Sequence, residues 1–120
     1  MPTKHHRELG SAKAGTEHFW RQRLTAIALI PLVIFFIGLL PQMAGATYGE
    51  FRALMSLPVT AIVMVLLVGA GLWHMMLGLQ AVLEDYVHHE GWKMGLRIAL
   101  VLGTGLLAVA GIVSILLLAG

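Results

Sequence analysis

Three long stretches of this chain, residues 24–49, 53–83 and 98–120, contain no Asp, Glu, Lys or Arg. A helix rises 1.5 Å per residue, so each stretch meets the roughly 20 residues needed to cross bilayer hydrocarbon. In a chain of 120 residues they leave room for one domain at most. With 58% hydrophobic and 12% charged residues, the composition is also too apolar for a soluble fold of this size. The expectation is a single-domain, all-α membrane protein with three transmembrane helices, over about residues 23–40, 57–84 and 92–118, preceded by a polar segment at 1–22.

That first segment, "MPTKHHRELGSAKAGTEHFWRQR", carries charge throughout and lacks the continuous apolar run of a cleavable signal peptide, so it reads as part of the mature protein. The chain has no cysteine, which excludes disulfides, thiolate metal sites and cysteine nucleophiles. Its net charge of +2 comes from basic flanks, and without an ordered basic array or a soluble domain nucleic-acid binding is a poor reading of that charge.

The basic residues set an orientation. Lys4, Arg7, Lys13, Arg21 and Arg23 precede the first span, Lys93 and Arg97 separate the second from the third, and the first connection holds only Arg52. The positive-inside rule then places the N-terminus and the 84–97 connection in the cytoplasm, and the first connection and the C-terminus outside. Pro41 is expected to end the first helix, and Pro31 to bend it. Pro41, Gly45 and Gly49 form the outer loop, after which Ser56 caps the second helix and Pro58 occupies its first turn. Trp20, Tyr86 and Trp92 gather near the cytoplasmic interface.

His74 lies inside the second apolar stretch. At 100° per residue, Gly71, Gly78, Ala81 and Asp85 share its face. Small residues around an imidazole let a neighbouring helix approach closely, and equally leave space for a flat cofactor held edge-on. One reading of His74 is an interhelical hydrogen bond. The functional readings are haem ligand, proton relay and metal ligand. A relay calls for more ionisable groups along the span and a zinc or copper site for several nearby ligands, whereas haem asks for one imidazole from each side.

Asp85 and Tyr86 lie about 18 Å further along the helix axis, near the membrane surface. A phenol there can donate to a carbonyl oxygen of an amphipathic small molecule, with the carboxylate orienting groups or moving protons; an interfacial anchor and a solvated helix-end charge is the plainer alternative. Arg21 and Arg23 are orientation-setting, snorkelling charges, though either guanidinium also suits a haem propionate. Glu84, His88, His89 and Glu90 read as loop solvation, the adjacent histidines lacking a third ligand at suitable spacing. On the third span, Ala99, Gly103, Ala110 and Ser114 form a stripe suited to packing.

"RLTAIALIPL" after a short basic N-terminus, followed by the histidine of "WHMMLGLQAVLEDYV", resembles the hydrophobic membrane-anchor D subunits of succinate dehydrogenase, respiratory complex II. The likeness covers the three-span layout from about Glu17 to the end, and its specific part is His74, Gly78, Gln80, Asp85 and Tyr86 in one register with Arg23 heading the first helix. It implies an anchor that pairs with a second three-helix subunit, the C subunit, to hold a haem b and a ubiquinone pocket beneath the iron-sulfur subunit, with succinate oxidised on a separate flavoprotein. His74 would be this chain's axial haem ligand, Arg23 would lie near the propionates, and Tyr86 would be the quinone hydrogen-bond donor with Asp85 beside it. Glu17 and His18 depart from the family in order and in distance from Arg23, so the resemblance gives His18 no role. The partner subunit's serine-, proline- and arginine-rich N-terminal motif is missing, which favours the D type. The rivals are the anchor of a quinol:fumarate reductase and a small haem-free structural or transport protein. The lack of a transit-peptide pattern places the expectation in a bacterial inner membrane.

Overall fold

The computed structural model is described from residue 2 for the backbone and from residue 15 for side chains, so the side chains of Lys4, Arg7 and Lys13, used above for topology, lie outside the described residues. Four helices follow one another: α1 (Pro2–Met43), α2 (Tyr48–Met55), α3 (Pro58–Tyr86) and α4 (Glu90–Ala119). Three segments are long and apolar enough to span a membrane, namely Gly15–Met43 of α1, α3 and α4. The chain is thus an all-α protein with three candidate membrane spans.

The ends of α1 differ from the expectation of residues 23–40. Charge does not stop a helix: the Lys, Arg, Glu and Ala of the N-terminal segment are good helix formers, and the helix runs through them from Pro2. Pro31 and Pro41 both lie inside α1. The stop comes instead at Gly45, whose φ of +76° is the left-handed conformation that glycine adopts without steric cost. Ahead of it the Ala44 amide donates to Leu40 O at 2.9 Å.

The expected outer loop contains α2. Thr47 and Glu50 form a reciprocal capping box, with the Glu50 amide donating to Thr47 Oγ1 at 3.2 Å and the Thr47 amide to Glu50 Oε2 at 3.4 Å. Met55, 2% exposed, anchors α2. Ser56 does not cap α3: it closes α2, its hydroxyl donating to Ala53 O at 2.8 Å. Leu57 is the N-cap of α3 without a side-chain bond, and Pro58 occupies the first turn as expected.

The central element is α3, which packs against α1 on one side and α4 on the other. Its 29 residues span about 44 Å, longer than the hydrocarbon layer, so its ends reach the headgroup region. On α4 the positions Leu100, Thr104, Ala108, Gly111 and Ile115 are buried or half-buried. Val68 Cγ1 lies 3.1 Å from where a Cβ at Gly111 would stand. Ala99, Gly103, Ala110 and Ser114, expected to form the packing stripe, are all exposed. The two faces have the same helical period and differ by one residue, and Val68 of α3 approaches the one that carries Gly111. A three-residue connection leads from α3 to α4, where His89 is the N-cap and its Nδ1 accepts from the Trp92 amide at 3.2 Å. Glu84, near the end of α3, pairs with Arg97 and, at 3.6 Å, with Lys93 of α4.

Candidate functional site at the α1–α3 seam

The face of α3 that carries His74 is turned toward α1. Thr25 Oγ1 lies 2.9 Å from His74 Nδ1. Leu29 Cδ2 lies 3.9 Å from where a Cβ at Gly71 would stand, and Gln22 Nε2 is 3.6 Å from the corresponding position at Gly78. Matching Leu29, Thr25 and Gln22 to Gly71, His74 and Gly78 in opposite order makes the two helices antiparallel. The α1 positions 18, 22, 25 and 29 are spaced four, three and four apart, a single face of that helix. The small residues around His74 therefore face α1, with Leu29 and Gln22 standing over Gly71 and Gly78.

His74 also borders an open apolar cleft of about 410 Å³, lined by Ala26, Leu29, Ile30, Val33 and Ile34 of α1. Its ring is half-buried, and among the described residues Nε2 has no hydrogen-bond partner. These features fit an axial haem ligand: one nitrogen is oriented by the protein, the other is uncommitted, and the adjoining surface is apolar and open to a flat group. Among the described residues no cluster of three or more His, Asp or Glu could hold a metal ion, but a haem iron asks for only one imidazole from this chain.

One turn toward the N-terminal end of α1 from Thr25, the Oε1 of Gln22 is buried without a partner. Beyond it a cleft of about 500 Å³ opens among His18 of α1, Gln80, Ala81, Glu84 and Asp85 of α3, and Arg97 of α4. Asp85 thus faces the same cleft as His18, a residue to which sequence reasoning gave no role. The 18, 22, 25, 29 spacing was the signal that placed it there. Tyr86, the residue after Asp85 and 77% exposed, is not among the cleft-lining residues. Arg23 is exposed as well, its guanidinium stacked 5.1 Å from the centroid of the Phe19 ring. The structure therefore brings His74 and Asp85 onto one seam, with Arg23 and Tyr86 on surfaces directed away from the bundle.

Comparison with known proteins agrees with this layout. The family model described as succinate dehydrogenase/fumarate reductase transmembrane subunit matches residues 1–118. A succinate dehydrogenase hydrophobic membrane anchor subunit from Paracoccus denitrificans is 28% identical over 109 residues, covering 91% of this chain and 84% of the relative. One of the same name from Rickettsia bellii (strain RML369-C) is 32% identical over 106 residues, covering 88% of this chain and 85% of the relative. With a family match along almost its whole length and three apolar helices long enough to span a membrane, the chain belongs to the succinate dehydrogenase/fumarate reductase transmembrane-subunit family.

Proposed function

We propose that this chain anchors a succinate:ubiquinone oxidoreductase in a bacterial inner membrane, holding haem b together with a second anchor subunit and contributing to the quinone-reduction site beneath an iron-sulfur subunit and a flavoprotein. The observation that carries the reading is His74, which lies well inside the apolar part of α3 at the α1–α3 seam, beside an open apolar cleft. A haem held there would supply a one-electron store for quinone reduction. This chain's residues would hold and tune it, His74 by ligation through Nε2 and Arg23 by offering a guanidinium to a propionate. The open side of the cleft leaves room for the second anchor subunit to supply the opposite ligand.

Quinone reduction needs a donor to the carbonyl oxygen on which negative charge grows. Tyr86 supplies an exposed phenol at the end of α3, and Asp85, one residue earlier, carries a carboxylate at the same depth. The N-terminus and the α3–α4 connection lie on the cytoplasmic side in this proposal, which puts both residues at the surface where the soluble subunits dock. The family description covers fumarate reductases too, so the opposite direction is the second reading; the names of the two relatives favour succinate oxidation. The test is a reduced-minus-oxidised optical spectrum of the membrane complex with and without His74→Tyr. A low-spin haem signal altered or lost in the variant is expected, and an unchanged signal refutes the ligand.

A further inference from the structure

We infer that Thr25 is a positioning residue that holds His74 in the tautomer and ring orientation needed for ligation, an inference that rests on the haem reading of His74. Thr25 is 3% exposed near the head of the first apolar stretch. Its Oγ1 lies 2.9 Å from Arg21 O, 2.9 Å from Gln22 O and 2.9 Å from His74 Nδ1. A hydroxyl has one proton and two lone pairs. Both carbonyl oxygens are acceptors only, so the proton of Thr25 goes to the α1 backbone, shared between the two. The oxygen is then left with lone pairs facing the imidazole, and Nδ1 must be the donor.

The opposite assignment, with the hydroxyl donating to an unprotonated Nδ1, would leave Oγ1 against two carbonyl oxygens at hydrogen-bond distance with no proton between them. In the favoured arrangement the neutral imidazole carries its proton on Nδ1 and its free lone pair on Nε2, the nitrogen without a partner among the described residues. Metal-ligating histidines commonly donate their other ring N–H in this way, which fixes the ring and raises the basicity of the ligating nitrogen. Here the acceptor comes from a different helix, 49 residues away in the chain. Gln22 and Leu29 flank it against Gly78 and Gly71, so α1 holds the acceptor at a set depth.

The hydrogen bond predicts a tuning effect. An Nδ1–H that donates to oxygen makes Nε2 a stronger electron donor, which favours the oxidised iron. Thr25→Val keeps the shape and removes the hydroxyl; Thr25→Ser keeps the hydroxyl. In the whole complex, potentiometric titration should show the haem midpoint potential shifted upward in Thr25→Val, with less haem retained per complex, and both values returned toward those of the unmodified protein in Thr25→Ser. Wild-type potential and haem content in Thr25→Val overturn the role. If that variant does not assemble, electron spin-echo spectroscopy of the unmodified oxidised complex in H2O and in 2H2O reads the remote imidazole nitrogens directly. A quadrupole coupling of the remote nitrogen of His74 lowered by a hydrogen bond from its exchangeable N–H to oxygen is expected, and the coupling of an unbonded imidazole N–H overturns the proposal. His74→Tyr separates the two levels of inference: an unchanged low-spin spectrum there removes the ligand and the role of Thr25 together, whereas a lost spectrum with an unaltered Thr25→Val removes only the latter.

Discussion

Tyr86→Phe isolates the quinone chemistry from the fold. The side chain of Tyr86 is 77% exposed at the last position of α3, and among the described residues its hydroxyl bonds to nothing in this chain. Removing one oxygen from an exposed ring therefore leaves the α1–α3 and α3–α4 packing unchanged, and any loss must arise where the hydroxyl meets a ligand. A bond from the phenol to a carbonyl oxygen gaining negative charge contributes about 1–3 kcal/mol. At about 1.4 kcal/mol per decade, its loss lowers quinone reduction by about 5- to 150-fold. The assay is a pair of turnover measurements on the same preparation, one with a ubiquinone analogue and one with an artificial soluble acceptor that takes electrons upstream of the membrane subunits. The first is expected to fall and the second to hold. If both fall together, Tyr86 acts in assembly; if neither falls, the phenol is an interfacial anchor and the donor to the quinone comes from another subunit.

The orientation predicts that a reporter fused after Gly120 is active only on the outer side of the membrane, and cytoplasmic activity of that fusion would refute it. Arg23→Gln removes a cation proposed to lie by a propionate and should lower the haem midpoint potential in a redox titration; an unmoved potential removes Arg23 from the haem environment. Gly78→Leu should weaken the complex by about 1–3 kcal/mol in thermal unfolding of the detergent-extracted protein, because the added side chain meets Gln22 at the seam. Gln22→Ala in the same chain should recover part of that loss, and strict additivity of the two changes would contradict the antiparallel register.

The three spans were legible because charge is costly in hydrocarbon, and stretches without it are conspicuous at any level of detail. The composition of the His74 face was legible too, since Gly71, Gly78, Ala81 and Asp85 follow from helical rotation alone. What that face meets was not. A threonine in an apolar helix commonly turns its hydroxyl back on its own carbonyls, as Thr25 does toward Arg21 and Gln22, so nothing local marks it as a partner for a histidine 49 residues on. Periodicity on α4 permits two neighbouring faces, and the one α3 meets, with Val68 against Gly111, is visible only in the structure. The helix α2 was readable in principle: Thr47 and Glu50 have the spacing of a capping box, but Pro41, Gly45 and Gly49 around them signal a loop more strongly.

Hydrocarbon surroundings explain why the interior of this bundle is so polar for so apolar a chain. Lipid tails are as apolar as leucine, so burying a leucine between helices gains little, and helices associate through close contact and hydrogen bonds instead. Thr25, bonded across the α1–α3 seam to His74, follows this rule. Leu39, Met55, Leu77 and Ile115 are the buried apolar residues among those described, beside three threonines, Thr25, Thr60 and Thr104. Most of the large aliphatic side chains face outward. An imidazole can occupy such a seam without disturbing a hydrophobic core, because the seam is built from small and hydroxylated residues. Both α1 and α4 pack on α3, and the cleft beside His74 on the α1 side is open. On the proposed function, that open side is where a second anchor subunit and a flat cofactor complete the bundle, so the same arrangement that holds α1 against α3 also determines from which direction the haem is approached.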